Sequence, residues 1–99
     1  KVKEYIKNNY NKDLSLEMIA DYVYLSPGYL STLFKTENGI TVFDYITNLR
    51  MEKAKELLLN NKSMKIQDIA IKLGYNSSQS FIRYFKKYYN VTPNQFRKA

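Results

Sequence analysis

The sequence predicts an all-α fold, seven helices arranged as two similar subdomains joined by one long linker helix. Three observations predict it. Apolar residues recur at helical spacing throughout, and no stretch shows the period-two alternation of a half-buried strand. Cap and terminator residues punctuate the chain at intervals that suit short helices. The chain also repeats itself. Ile19 and Ala20 fall on Ile69 and Ala70 at an offset of fifty, and Leu30, Phe34, Lys35 and Thr41 fall on Phe81, Phe85, Lys86 and Thr92 at fifty-one. Gly39 becomes Asn90, and Tyr45 becomes Phe96.

Each element follows from local chemistry. A first helix is expected near residues 2–9, with Val2, Tyr5 and Ile6 on one side. Ser15 is a good N-cap for a second, to about Val23, burying Leu16, Ile19, Ala20 and Val23. In "LSPGYL", Ser26 caps a third helix and Pro27 takes its first position, where a fixed φ and a missing N–H do no harm. That helix is expected over about 27–37, stopping at Asn38-Gly39 because glycine accepts a left-handed cap. Thr41 with Asp44 starts a long fourth helix, about 42–60. A fifth is expected over about 65–73, followed by a tight turn at Gly74. Asn76 is the expected cap of a sixth helix, about 77–89, and Asn90 its terminator. "TPNQ", residues 92–95, is a full capping box for a short seventh. The expected division is residues 1–40 for the first subdomain, 41–61 for the linker and 62–99 for the second.

Composition narrows the chemistry. The chain has no cysteine and no histidine, which excludes disulfides, thiolate nucleophiles, the usual zinc sites and the commonest general base. Glu52 and Glu56 are the only carboxylates at i,i+4 spacing in the long helix, and there is no glycine-rich phosphate loop. An enzyme is not expected, nor is a cofactor or a metal. Aliphatic runs stay as short as Leu57–Leu59, so no membrane span or signal peptide is expected and the cytoplasm is the simplest location. A chain opening on Lys1 reads as a piece of something longer. Its net charge of +7 is unevenly placed. Residues 1–40 cancel, with Lys1, Lys3, Lys7, Lys12 and Lys35 against Glu4, Asp13, Glu17, Asp21 and Glu37. Residues 65–99 carry seven Lys and Arg against Asp68 alone. A basic face so concentrated points to a polyanion partner.

Each copy is a short helix, a tight turn and a second amphipathic helix. This is helix-turn-helix geometry, in which the second helix can lie in a DNA major groove. At about 100° per residue, Leu30, Leu33 and Phe34 turn inward, leaving Gly28, Ser31, Thr32 and Lys35 outward. In the sixth helix Phe81, Tyr84 and Phe85 turn inward, leaving Gln79, Ile82, Arg83 and Lys86 outward. Arg83 suits guanine O6 and N7, Gln79 adenine N6 and N7, and Ile82 a thymine methyl. Ser31, Ser78 and Ser80 offer short hydroxyls, while Lys86 and Lys87 sit where phosphates are the better partners. The small residues of the first face fit backbone and shape contacts. A linker helix of about 27 Å suits holding two such readers about one DNA turn apart. A basic protein-binding module is the alternative. An amphipathic membrane-surface binder is disfavoured, because the apolar faces are needed by the two cores.

At this point "IAIKLGYNSSQSFIRYFKKYYNVTPNQFRK", residues 69–98, resembles the signature of AraC/XylS-type bacterial transcription regulators. The pattern is an Ile-Ala pair, Gly-aromatic, a polar turn, aromatic-x-x-x-Phe-Lys, Thr-Pro and aromatic-Arg. Residues 15–58, with Arg50 before "MEKAKELL", resemble that family's first module and linker helix. The resemblance implies a C-terminal output domain that binds double-stranded promoter DNA, with RNA polymerase as a further partner and dimerisation through a region upstream. The wording "DYVYLSPGYLS" looks closest to two-component response regulators. The candidate DNA contacts are Gly28, Ser31, Thr32 and Lys35, with Ser77, Ser78, Gln79, Ile82, Arg83, Lys86, Lys87, Thr92 and Arg97. Arg50 is expected to organise the linker helix or a salt bridge rather than to contact DNA. Two residues depart from the pattern. Tyr24 stands where the first turn often has glycine, with a changed angle of the third helix expected, and Asn90 is a compatible replacement in the second.

Overall fold

A computed structural model describes residues 1–98. Its helices are α1 (Val2–Asn9), α2 (Leu16–Tyr22), α3 (Pro27–Asn38), α4 (Val42–Asn60), α5 (Ile66–Lys72), α6 (Ser78–Tyr89) and α7 (Pro93–Lys98). Contacts divide the chain into two compact units, Lys1–Leu49 and Arg50–Ala99, with the boundary inside α4.

In the first unit Ile6, Ile19, Ala20, Leu30, Phe34, Val42 and Ile46 form the core, with Tyr5, Leu16, Val23 and Tyr45 packed around it. Ser15 Oγ accepts from the backbone N–H of Met18 at 3.1 Å, and Ser26 Oγ from that of Tyr29 at 3.2 Å. Those caps fix where α2 and α3 begin. Gly39 ends α3 at φ 78°, its N–H donating to Lys35 O. Thr41 Oγ1 then accepts from Asp44 N at 3.0 Å and starts α4.

The second unit rebuilds this plan with heavier side chains. Ile69, Ala70, Phe81 and Phe85 are fully buried, as are Met51, Ala54, Leu58 and Pro93. The ring of Phe85 meets Phe96 at 5.6 Å and 68°, reproducing the Phe34–Tyr45 pair of the first unit at 5.6 Å and 67°. Edge-to-face pairs of this kind add about 0.5–1.5 kcal/mol beyond burial. α6 ends at Asn90, φ 67°, as α3 ends at Gly39. The capping box of α7 is complete: Thr92 N donates to Gln95 Oε1 at 2.9 Å, and Gln95 N to Thr92 Oγ1 at 3.1 Å.

One detail differs from expectation. The cap of α6 is Ser77, not Asn76. Ser77 has the extended backbone of a cap, φ −149° and ψ 157°, and its Oγ accepts from Ser80 N at 3.2 Å. Asn76 is the extra residue that moves the repeat from an offset of fifty to one of fifty-one. The turn at Tyr24 keeps the backbone that glycine would give. Tyr24 takes φ 59° and Gly74 takes φ 97°. Tyr24 N donates to Asp21 O and Leu25 N to Ala20 O, just as Gly74 N donates to Ile71 O and Tyr75 N to Ala70 O. A side chain in that left-handed well costs about 1–2 kcal/mol.

Candidate nucleic-acid interface

The outward face of α3 is built as the periodicity requires. Leu30 and Phe34 hold one side in the core, so Gly28, Ser31, Thr32 and Lys35 are all exposed on the other. A Cβ added at Gly28 would meet no atom within 4 Å. The protein's own packing therefore does not demand a glycine there.

α6 presents the same four positions. Phe81 and Phe85 anchor it, Gln79, Arg83 and Lys86 are exposed, and Ile82 and Ser78 are half-buried. The Arg83 guanidinium lies 5.7 Å from the centroid of the Tyr84 ring, a contact that steadies it without neutralising it. Lys87 is exposed on the flank of this face. Among the described residues, Lys35, Lys86 and Lys87 are in no ion pair, so their charges are available to an anion.

Three candidate residues are engaged within the chain. Ser77 Oγ caps α6 and lies 3.3 Å from Ser80 Oγ. Thr92 is committed to the capping box of α7. Arg97 donates from Nη2 to Asn61 O at 3.2 Å and from Nε to Leu58 O at 3.5 Å. The last turn of α4 carries no basic residue, so Arg97 supplies the cation that its terminal carbonyls attract. Sequence reading missed that partnership, because backbone carbonyls leave no mark in a sequence. The Arg50 guanidinium lies over the Tyr75 ring, 4.9 Å from the centroid. Burial pushes the Tyr75 phenol above its ordinary value, with the Arg50 charge pulling the other way.

Electrostatics separates the units. Lys1–Leu49 holds five lysines against six carboxylates, and Arg50–Ala99 holds eleven Lys and Arg against three. Among the described residues no cluster of three or more carboxylates, histidines or cysteines has the grouping of a metal site, and no helix is long and apolar enough to cross a membrane.

Known proteins carry the same design. Residues 19–99 match the model of a family described as a helix-turn-helix domain. An HTH-type transcriptional regulator of Bacillus subtilis, YtdP, is 40% identical over 93 residues, 94% of this chain and 12% of its own length. The chain spans less than two thirds of the length of curated relatives it matches. The C-terminal domain of AraT, a response regulator from Geobacillus stearothermophilus, superposes with a TM-score of 0.94 at 41% identity, covering 98% of this chain and 80% of that one. The DNA-binding domain of AdpA, solved with a target DNA, shares the fold at a TM-score of 0.90 and 18% identity, covering 98% of this chain and 86% of that one. Matched over most of its length by the family model and over nearly all of it by relatives, the chain belongs to the AraC-type helix-turn-helix family of transcriptional regulators.

Proposed function

We propose that this chain is the promoter-reading part of a bacterial transcription regulator, engaging two successive major-groove segments of one duplex with α3 and α6. The observation that carries the reading is the equivalence of the two outward faces. Gly28, Ser31, Thr32 and Lys35 occupy on α3 the positions that Gln79, Ile82, Arg83 and Lys86 occupy on α6, over matching buried cores. A repeat that keeps its core and varies its exposed face suits two readers of different sequence. In functional terms residues 1–40 form one reader, 41–61 the linker and 62–99 the other.

The roles follow from charge and geometry. Arg83 and Gln79 take base edges, and Ile82 a thymine methyl, as their fork, amide and apolar groups require. Lys86 and Lys87 neutralise phosphates, with Lys35 as their counterpart on α3. Ser31, Thr32 and Ser78 add hydroxyl contacts. Ser77 and Thr92 act by setting the starts of α6 and α7. The module itself catalyses nothing and works in the cytoplasm. RNA polymerase is the second partner, and dimerisation belongs to a region outside this sequence; both rest on kinship with longer regulators.

Selection of binding sites from random duplex should return two unlike half-sites about one helical turn apart. With about six phosphates neutralised, log K should fall against log salt with a slope of about −5. Arg83→Ala should lose about 1–3 kcal/mol at one base position and relax preference there, while Lys86→Ala should weaken every duplex alike. Equal losses on selected and scrambled duplex for Arg83→Ala would remove its base-reading role.

A further inference from the structure

We propose that Tyr24 is an uncharged backbone contact of the first reader, its phenolic O–H donated to a DNA phosphate beside the start of α3. The inference rests on the duplex-reading proposal and adds to it a residue outside both helical faces. Tyr24 is 94% exposed, so its ring contributes almost nothing to the core. Its backbone sits at φ 59°, a conformation that L side chains resist. At the equivalent place in the second unit the chain uses Gly74, with the same pair of turn hydrogen bonds. The turn needs a left-handed residue, and glycine meets that need at no steric cost. A strained side chain that buries nothing finds no reason for itself inside the protein, and such outliers gather where a surface meets a ligand.

Position and charge name the ligand. Tyr24 lies two residues before Ser26, the cap of α3, next to the helix end that carries Gly28, Ser31 and Thr32. The unit around it has five lysines against six carboxylates, with Glu17 and Asp21 exposed on α2. With Lys35 the cation on its α3 face, that unit gains little from releasing counterions, so neutral donors carry much of its grip on a phosphate backbone. Tyrosine, serine and threonine hydroxyls are regular phosphate partners. Tyr29, 59% exposed in the first turn of α3, is a second phenol of the same kind.

The test compares the wild-type chain with Tyr24→Gly and Tyr24→Phe, using a duplex selected from a random pool and a scrambled duplex, across a salt series. Tyr24→Gly should melt at a higher temperature yet bind both duplexes about fivefold more weakly, the loss of one hydrogen bond. Tyr24→Phe keeps the ring and backbone, and should lose a similar factor. The salt slope should not move, because no charge has been removed. Wild-type affinity in both variants would overturn the proposal, and so would a changed slope. A wild-type chain that binds no duplex at all would instead overturn the duplex-reading proposal beneath it.

Discussion

Gly28 shows what a single residue reveals when packing is taken away. Inside a helix, glycine is disfavoured against alanine by about 1 kcal/mol, and here an added methyl would touch nothing in the protein. Gly28→Ala is therefore expected to raise stability by about 0.5–1 kcal/mol, read from the denaturant midpoint. If DNA passes close over this position, the same change weakens duplex binding, and a titration of the variant measures it. Unchanged affinity would mean that the duplex keeps its distance at Gly28. The identity of such residues is legible in the sequence, since angular position alone marks them as outward. Whether a contact partner claims them is not, as Ser77 and Thr92 show: both sit at exposed-looking positions, and both are used by helix starts.

At the scale of the element, most boundaries were legible because they are set by neighbours in sequence. Ser15, Ser26, Thr41 and Thr92 each accept from the N–H three residues on, and Gly39 and Asn90 each take the left-handed terminator. The start of α6 was misplaced by one residue because Asn76 and Ser77 are equally good caps, and turn length decides between them. The end of α4 lies at Asn60, as expected, but the partner of its last carbonyls could not be read, since Arg97 reaches them from 36 and 39 residues away. Charged hydrogen bonds to a helix end contribute about 1–3 kcal/mol when partly buried. Arg97→Ala should lower stability by that amount while leaving the salt slope of DNA binding in place. A slope shallower by about one unit would return Arg97 to the phosphate contacts.

At the scale of the whole molecule, two small cores of similar plan carry very different charge. Their response to alkali should be set in the second unit. The Tyr75 phenol titrates above its ordinary value of 10.0 because burial opposes the charged form, partly offset by Arg50. Tyr89 is raised as well, by burial and by the charges of Tyr88 and Glu52. A folded value above the unfolded one means that stability is whole below about pH 10 and drains away as pH climbs through the folded value. Chemical denaturation across that range should show a plateau and then a fall, and Tyr75→Phe should make the fall shallower. The overall plan was legible because a duplication displays its own buried positions twice. The aromatic weight of the second core was legible too, from Phe81, Phe85 and Phe96.

The one-residue difference in turn length has a practical side. With Asn76 set aside, α3 and α6 begin, end and anchor themselves at corresponding positions, so the exposed side chains at 28, 32 and 35 are exchangeable for those at 79, 83 and 86, and only the half-buried Ile82 opposite Ser31 touches an interior. Transplanting that trio amounts to rewriting one word of a two-word address while the grammar around it stays intact.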